Sequence, residues 1–288
     1  MPELPEVEVV KQSLEKYILN KKLLKIIVKN KRLRYPVPKN ISKELANLKI
    51  CKIKRISKYV VIGFKNELFL IIHLGMSGTL HLKNCKNNSQ NTNLSFYHSK
   101  NLPIKHNHVF LNFKNFSIIY NDPRRFGFIK LIIGNINLKN YFSKLGPDPF
   151  KRDFNFKYVK KYFYKKNKNI KNTLIDQKFI SGIGNIYANE ILFFCKINPF
   201  RKSSKLSLAD YKKLIFYSKS VLKNAIKKGG SSIQNFTNTD GDTGFFQKQF
   251  KVYQRENLKC TNKNCSGIIK KKNISNRSTF YCNICQKY

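Results

Sequence analysis

The run 58-KYVVIGFKNELFLIIHL-74 decides what kind of fold this chain can adopt. Two stretches of β-branched and aromatic residues flank the turn residues Lys65, Asn66 and Glu67, the pattern of two strands and a connection. Working outward, LKIIVKN, KICKIKRI, HVFLNF, FSIIYN and FGFIKLII repeat it, so residues 22–133 hold seven strand-like segments. One helix precedes them: from Pro5 onward, Val7, Val10, Leu14, Tyr17 and Ile18 recur at near-helical spacing. Seven strands after one helix predict an antiparallel sandwich or barrel. The polar stretch 83–105 interrupts the strands and reads as a long loop.

KLGPDPF, at 144–150, carries a glycine and two prolines and reads as a linker. Beyond it FKYVKKYFYKK, NTLIDQKFI, GNIYANEILFFCKI and SLADYKKLIFYSKSVLKNAIKKGG place apolar residues three and four apart, the last between a serine and a glycine pair. The expectation is an α+β multidomain chain: a domain at 1–143, the linker at 144–150, a helical domain at 151–244 and a cysteine-bearing tail at 245–288.

Composition narrows the partner. Lys and Arg number 57 against 15 Asp and Glu, a net charge of +42. That excess points to a polyanion, with nucleic acid ahead of an acidic membrane surface. Lysine and asparagine recur even in loops, as an AT-rich genome would impose, so the sign carries more weight than the size. No apolar run approaches the roughly 20 residues of a membrane span. The N-terminus is acidic and unlike a signal peptide, so a cytoplasmic protein is expected.

The cysteines agree. Cys51, Cys85 and Cys195 are scattered, while Cys260, Cys265, Cys282 and Cys285 form two short pairs separated by sixteen residues. Four clustered thiols in an intracellular chain predict a tetrahedral Zn²⁺, structural because four cysteine ligands leave no open position. The first pair has four intervening residues where zinc ribbons usually have two.

Other motifs are ambiguous taken singly. Glu3, Glu6 and Glu8 crowd the opening MPELPEVE, where proline and acid both suit a first helical turn. HLGMSG and DPRRFG would put Met76, Arg124 and Phe126 on loop tips, as a DNA wedge requires, or turn Met76 and Phe126 into the core. His106, in KHNHV, is equally open. Asn185, after the glycines of SGIGN, suits a phosphate site or an ordinary helix start. Arg277, between the cysteine pairs, suits a phosphate or solvent.

Taken together and in order, PELPEVE, SKYVV, HLGMSG, DPRRFG, LGPDP, GIGNIYANE and the four-cysteine tail resemble the formamidopyrimidine-DNA glycosylase family over nearly the whole chain. The resemblance implies a bifunctional glycosylase and abasic-site lyase of base excision repair. It would act on 8-oxoguanine and formamidopyrimidines in duplex DNA, as a monomer in a bacterial cytoplasm. It implies an N-terminal helix with an antiparallel β-sandwich, a helix-two-turns-helix domain and a zinc-finger β-hairpin. Pro2, exposed as a secondary amine once Met1 is removed, matches the Schiff-base nucleophile; Glu3 matches the general acid and Glu6 its supporting carboxylate. Lys58 matches the β-elimination lysine and Arg277 the δ-elimination arginine. Met76, Arg124 and Phe126 match the residues that fill the gap left by an extruded nucleotide. His106, Arg124, Lys166 and Asn185 match DNA contacts.

The chain departs from the family in its longer first cysteine pair, in the length of the 83–105 loop, and at Asp242 and Thr243, where many relatives have a basic residue and proline. Three alternatives compete: an endonuclease VIII-like glycosylase for oxidised pyrimidines, a damaged-DNA-binding protein without catalysis, and a ribosome-associated zinc-ribbon protein.

Overall fold

The computed structural model describes residues 2–84, 90–91, 103–231 and 249–287. Met1, most of the 83–105 stretch, and Asp242 and Thr243 lie outside them. The chain divides into two compact units, Met1–Lys144 with Lys228–Phe245, and Leu145–Lys227 with Phe246–Tyr288.

In the first unit, α1 (Leu4–Ile18) buries Val7, Val10, Leu14 and Ile18, each 1% exposed or less. Short β1 (Lys25–Val28) and α2 (Ile41–Leu45) lead into β2 (Ile50–Ile56), β3 (Tyr59–Phe64) and β4 (Leu68–His73). Then come β5 (Thr79–Asn84), β6 (Gln90–Asn91), β7 (Asn107–Asn112), β8 (Phe116–Asn121), β9 (Phe128–Ile133) and α3 (Asn135–Phe142). Every strand pair is antiparallel, in sheets ordered β2-β3-β4-β9 and β1-β7-β8-β5-β6. One core joins Ile53, Val60, Ile62, Leu70 and Ile72 of the first sheet to Leu80, Val109, Leu111, Ile118 and Tyr120 of the second, and to α1. The architecture is therefore a sandwich.

The unbroken apolar character of 58–74 follows from burial on both faces. Val60, Ile62, Leu70 and Ile72 point into the sandwich, while Val61, Phe69 and Ile71 pack under Leu138, Tyr141 and Phe142 of α3. Strands covered on both faces lose the polar alternation of a half-exposed sheet. All seven expected segments are strands. The expectation missed β5, whose Leu80 and Leu82 alternate with buried Thr79 and His81. His81 Nε2 and Thr79 Oγ1 lie 2.5 Å apart, so these two polar side chains pair with each other on the buried face of β5 opposite Leu80 and Leu82.

The second unit holds α4 (Phe156–Phe163), α5 (Ile170–Ile175), α6 (Asn185–Cys195), α7 (Leu208–Lys227) and the hairpin of β10 (Ile269–Ile274) and β11 (Arg277–Cys282). Asn155 and Asn169 cap α4 and α5 through their side-chain oxygens. The Ser207 hydroxyl accepts from the Asp210 amide while the Asp210 carboxylate accepts from the Ser207 amide, a reciprocal start for α7. NTLIDQKFI is helical only to Ile175. Beyond it Gln177 donates to the Ile175 and Ile183 carbonyls and accepts from the Gly182 amide, all within 2.8 Å, serving backbone groups that a helix would have paired. No helix among the described residues is long and apolar enough to cross a membrane.

Candidate active site

The three acids of the opening turn have three different surroundings. Glu3 is the N-cap residue of α1 and Glu6 the third residue of the helix; both are 2% exposed, and Pro2 is buried beside them. Glu6 Oε2 accepts from the Glu3 amide at 2.8 Å, and Oε1 accepts from the Ser231 amide at 2.7 Å and hydroxyl at 2.9 Å. Preceding Ser231, Gly230 has φ 83°, and a β-carbon there would lie 3.2 Å from Glu6 Cγ and Oε1. Glu6 is thus a carboxylate clamped by three donors, one residue pair away from Pro2 and Glu3.

Glu8 points elsewhere. Its Oε2 accepts from Arg55 Nε at 2.7 Å, and Arg55 Nη1 donates to the Ser57 carbonyl at 3.2 Å. Ser57, at φ 54°, and Lys58 form the two-residue turn between β2 and β3. Helix α1 therefore fixes the turn that carries Lys58, itself 7% exposed. Close by, His73 stacks on Phe128 at 5.2 Å and packs on Tyr59 at 4.8 Å. Burial, helped by the positive Lys58 and Arg34, pushes the His73 imidazole down to about 4. Its Nδ1 accepts from the Gly75 amide at 3.1 Å, so the proton sits on Nε2 and the ring is neutral.

The two glycine-flanked loops leave the sandwich. Met76 is 39% exposed and Phe126 43%, so neither is a core residue, and the Arg124 guanidinium lies 4.6 Å above the Phe126 ring. His106 ends a short 3₁₀ turn, half-buried, its carbonyl accepting from the Asp122 amide at 3.0 Å.

In the second unit, Asn185 opens α6 and donates through Nδ2 to the Ser278 carbonyl at 3.1 Å. Fully buried Lys171 donates to the same carbonyl at 2.9 Å and to Thr279 Oγ1 at 2.7 Å. Asn189 Oδ1 accepts from the Phe280 amide at 2.8 Å. Helices α5 and α6 thereby grip the first residues of β11, and exposed Arg277 stands next to the gripped peptide, just past the Ser275–Asn276 turn. Asn185 and Arg277 are brought together in this way. Lys166 is not part of this grip: it is exposed on the turn after α4, its ammonium 5.1 Å from the Tyr162 ring. No motif marks Arg55 or Lys171, and Glu8 and Asn189, though inside PELPEVE and GIGNIYANE, carry no sequence signal for these contacts.

The four tail thiols converge, with all sulfurs within 4.8 Å of one another. Cys260 and Cys285 are 3.8 Å apart and Cys265 and Cys282 3.6 Å. Metal–sulfur bonds of about 2.3 Å in a tetrahedron require sulfurs about 3.8 Å apart, so the donor set fits a four-coordinate ion. The Gly267 and Cys285 amides donate to Cys265 and Cys282 sulfurs, and in the longer first pair Asn262 Nδ2 donates to Cys285 Sγ at 3.0 Å. The cluster is positioned to bind a metal ion.

A buried carboxylate pair at a helix start, a sandwich with two apolar-tipped loops, and a helix-two-turns-helix unit gripping a four-thiol hairpin define the class: a two-unit α+β protein of the helix-two-turns-helix type. Residues 1–129 match the model of the formamidopyrimidine-DNA glycosylase N-terminal domain, and residues 145–237 that of the formamidopyrimidine-DNA glycosylase H2TH domain. The chain belongs to the formamidopyrimidine-DNA glycosylase family. It is 38% identical to the formamidopyrimidine-DNA glycosylase of Roseobacter denitrificans over 100% of both chains. To that of a Wolbachia strain from Drosophila simulans it is 39% identical over 99% of this chain and 100% of the relative. A Lactococcus lactis FPG mutant in complex with Fapy-dG-containing DNA matches with a TM-score of 0.87 and 32% identity, covering 100% of both chains. The wild-type Lactococcus lactis protein in complex with oxidised-pyrimidine-containing DNA matches with a TM-score of 0.86 and 32% identity, again covering 100% of both.

Proposed function

We propose that this chain removes oxidised purines, 8-oxoguanine and formamidopyrimidines, from duplex DNA through Pro2 and then cuts the strand by β- and δ-elimination. It is a base-excision DNA glycosylase, in a family to which abasic-site lyase activity also belongs. One arrangement carries the reading: Pro2 directly precedes Glu3 and Glu6, two buried carboxylates that α1 and Ser231 hold in different surroundings.

After removal of Met1, Pro2 offers a secondary amine, and an α-amine ordinarily titrates near 8, leaving a useful neutral fraction at physiological pH. Its lone pair attacks C1′ of the damaged nucleotide. The bond from C1′ to the base breaks, and the base leaves with a proton from Glu3, while Glu6 keeps the helix start in place. The C1′–O4′ bond then breaks as the Pro2 nitrogen forms a C=N bond to C1′, the proton that Pro2 loses passing to O4′, and the resulting iminium acidifies the C2′ proton. Loss of that proton expels the 3′ phosphate with Lys58 as proton carrier, and a second elimination expels the 5′ phosphate with Arg277. Hydrolysis frees Pro2. Asn185, His106, Arg124 and Lys166 bind the strand, and Met76, Arg124 and Phe126 fill the gap left by extrusion.

Residues 1–143 would carry Pro2, Glu3, Glu6 and Lys58, 151–244 the helical DNA-binding part and 245–288 the finger with Arg277. Cys260, Cys265, Cys282 and Cys285 hold a Zn²⁺ whose task is to close the hairpin behind Arg277. The protein works in the cytoplasm on the nucleoid. A second reading, oxidised pyrimidines as main substrate, is favoured by the Lactococcus lactis complex with such DNA.

Glu3→Gln tests the division of labour. Excision of 8-oxoguanine opposite cytosine is expected to disappear while cleavage at a preformed abasic site persists. Parallel loss of both activities would contradict it. Faster excision of an oxidised pyrimidine by the unmodified chain would move the substrate to the second reading.

A further inference from the structure

Asp122 is an acid with no exposed surface, and it directly follows β8, between the two loops that carry Met76, Arg124 and Phe126. Its Oδ1 accepts from the Ser77 hydroxyl; its Oδ2 accepts from the Gly127 amide at 2.8 Å and the Tyr120 hydroxyl at 3.1 Å. Its carbonyl accepts from His108 Nε2 at 2.8 Å and from the Arg125 amide at 3.2 Å. Ser77 Oγ in turn accepts from the Arg124 amide at 3.2 Å. Each exposed tip is therefore one step from a group this carboxylate holds. Met76 adjoins Ser77, Phe126 adjoins Gly127, and Arg124 is bonded to Ser77.

The loops also meet backbone to backbone. A β-carbon on Gly75 would lie 2.4 Å from the Gly127 nitrogen and the Phe126 carbonyl carbon, and one on Gly127 would lie 1.9 Å from the Tyr120 hydroxyl oxygen. A side chain at either position would wedge the loops apart. Burial and the nearby Asp122 push the Tyr120 phenol up, so it remains a donor.

We propose that Asp122 is the positioning residue that locks the 74–78 and 122–127 loops at one separation, so that Met76, Arg124 and Phe126 enter the base stack as a single preformed unit. An acid buried among neutral donors is a poor device for stability alone, because desolvation offsets much of what its hydrogen bonds return. Its return is geometry: hydrogen bonds to a charged acceptor are short and directional. A wedge already assembled loses less freedom on entering DNA than one assembled there. The proposal rests on reading these three tips as the gap-filling group.

The test compares single-turnover excision of 8-oxoguanine opposite cytosine with strand cleavage at a preformed abasic site in the same duplex, where no base needs to be unstacked. Asp122→Asn is expected to slow excision about a hundredfold and to change abasic-site cleavage less than about threefold. Ser77→Ala, which keeps the Gly127 and Tyr120 bonds, is expected to slow excision about tenfold with the same split, and it carries the test if Asp122→Asn does not fold. Equal loss of both activities in the folded variants would mark Asp122 as merely structural and overturn the proposal, as would unchanged excision. A Met76→Ala, Phe126→Ala double variant isolates the underlying reading. Normal excision there removes the gap-filling role itself, whereas lost excision there with normal excision in Ser77→Ala and Asp122→Asn overturns Asp122 alone.

Discussion

Lys58 sits on a two-residue turn, the least constrained place in a sheet, yet it is only 7% exposed and its turn is anchored. The reason is a relay in which Glu8 accepts from Arg55 at 2.7 Å and Arg55 donates to the Ser57 carbonyl at 3.2 Å. Arg55→Gln removes the ion pair and one anchor of the turn. It is expected to lower the unfolding free energy by about 2 kcal/mol, the range for breaking a partly buried charge pair. It should also slow abasic-site cleavage about tenfold while affinity for an abasic-site duplex stays close to normal. Thermal unfolding and single-turnover cleavage measure the two effects, and an unchanged cleavage rate would remove Arg55 from the positioning of Lys58. These partners were not legible in sequence. Glu8 and Arg55 are 47 residues apart and Ser77 and Asp122 45, so nothing local connects them. Pro2, Glu3, Glu6 and Lys58 could be put forward as site candidates because they fall inside short motifs whose order along the chain is itself informative.

At the scale of elements, runs of one hydrophobic character were easy to read and buried polar ones were not. Strands β3 and β4 announced themselves because α3 covers the face that the sandwich core does not. Strand β5 escaped because Thr79 and His81 look like surface residues until their mutual hydrogen bond is seen. Burial pushes the His81 imidazole down to about 3, so the folded chain holds it neutral where the unfolded chain would protonate it below about 6.5. A base with a depressed folded pKa contributes stability that is complete above its unfolded value and is lost as pH falls. His81 should therefore cost stability progressively from about pH 6.5 downward to about pH 3, at up to about 1.4 kcal/mol per pH unit. His73 adds the same trend down to about 4. Denaturant melts across this range should show a flatter acid limb in His81→Gln than in the parent. Equal slopes would mean that His81 is not buried neutral. In the second unit, the glycines of SGIGN alone suit an ordinary helix start as well, so the helix-two-turns-helix pattern followed from the order of motifs along the chain, and the grip of Lys171 on Ser278, 107 residues away, had no sequence signal.

For the whole molecule, charge sets how the chain meets its partner. With 57 basic and 15 acidic residues, much of its DNA affinity comes from releasing cations condensed on phosphates. Affinity for an undamaged duplex should fall steeply and log-linearly with salt, by about 0.9 in slope for each phosphate contacted. A flat response in a fluorescence-anisotropy titration would contradict the electrostatic account. Lesion selectivity should survive that titration better than affinity, since the residues assigned to extrusion and excision make shape and hydrogen-bond demands that phosphate contacts do not.

The central claim is that the chain's second residue performs the chemistry. Borohydride reduction during reaction with a duplex carrying 8-oxoguanine opposite cytosine, followed by peptide mapping, tests it directly. A covalent adduct on an N-terminal Pro2 is the result expected, and it would establish nucleophile, Met1 removal and lyase class together. An adduct on Lys58, or tight lesion binding with no adduct at all, would contradict the assignment.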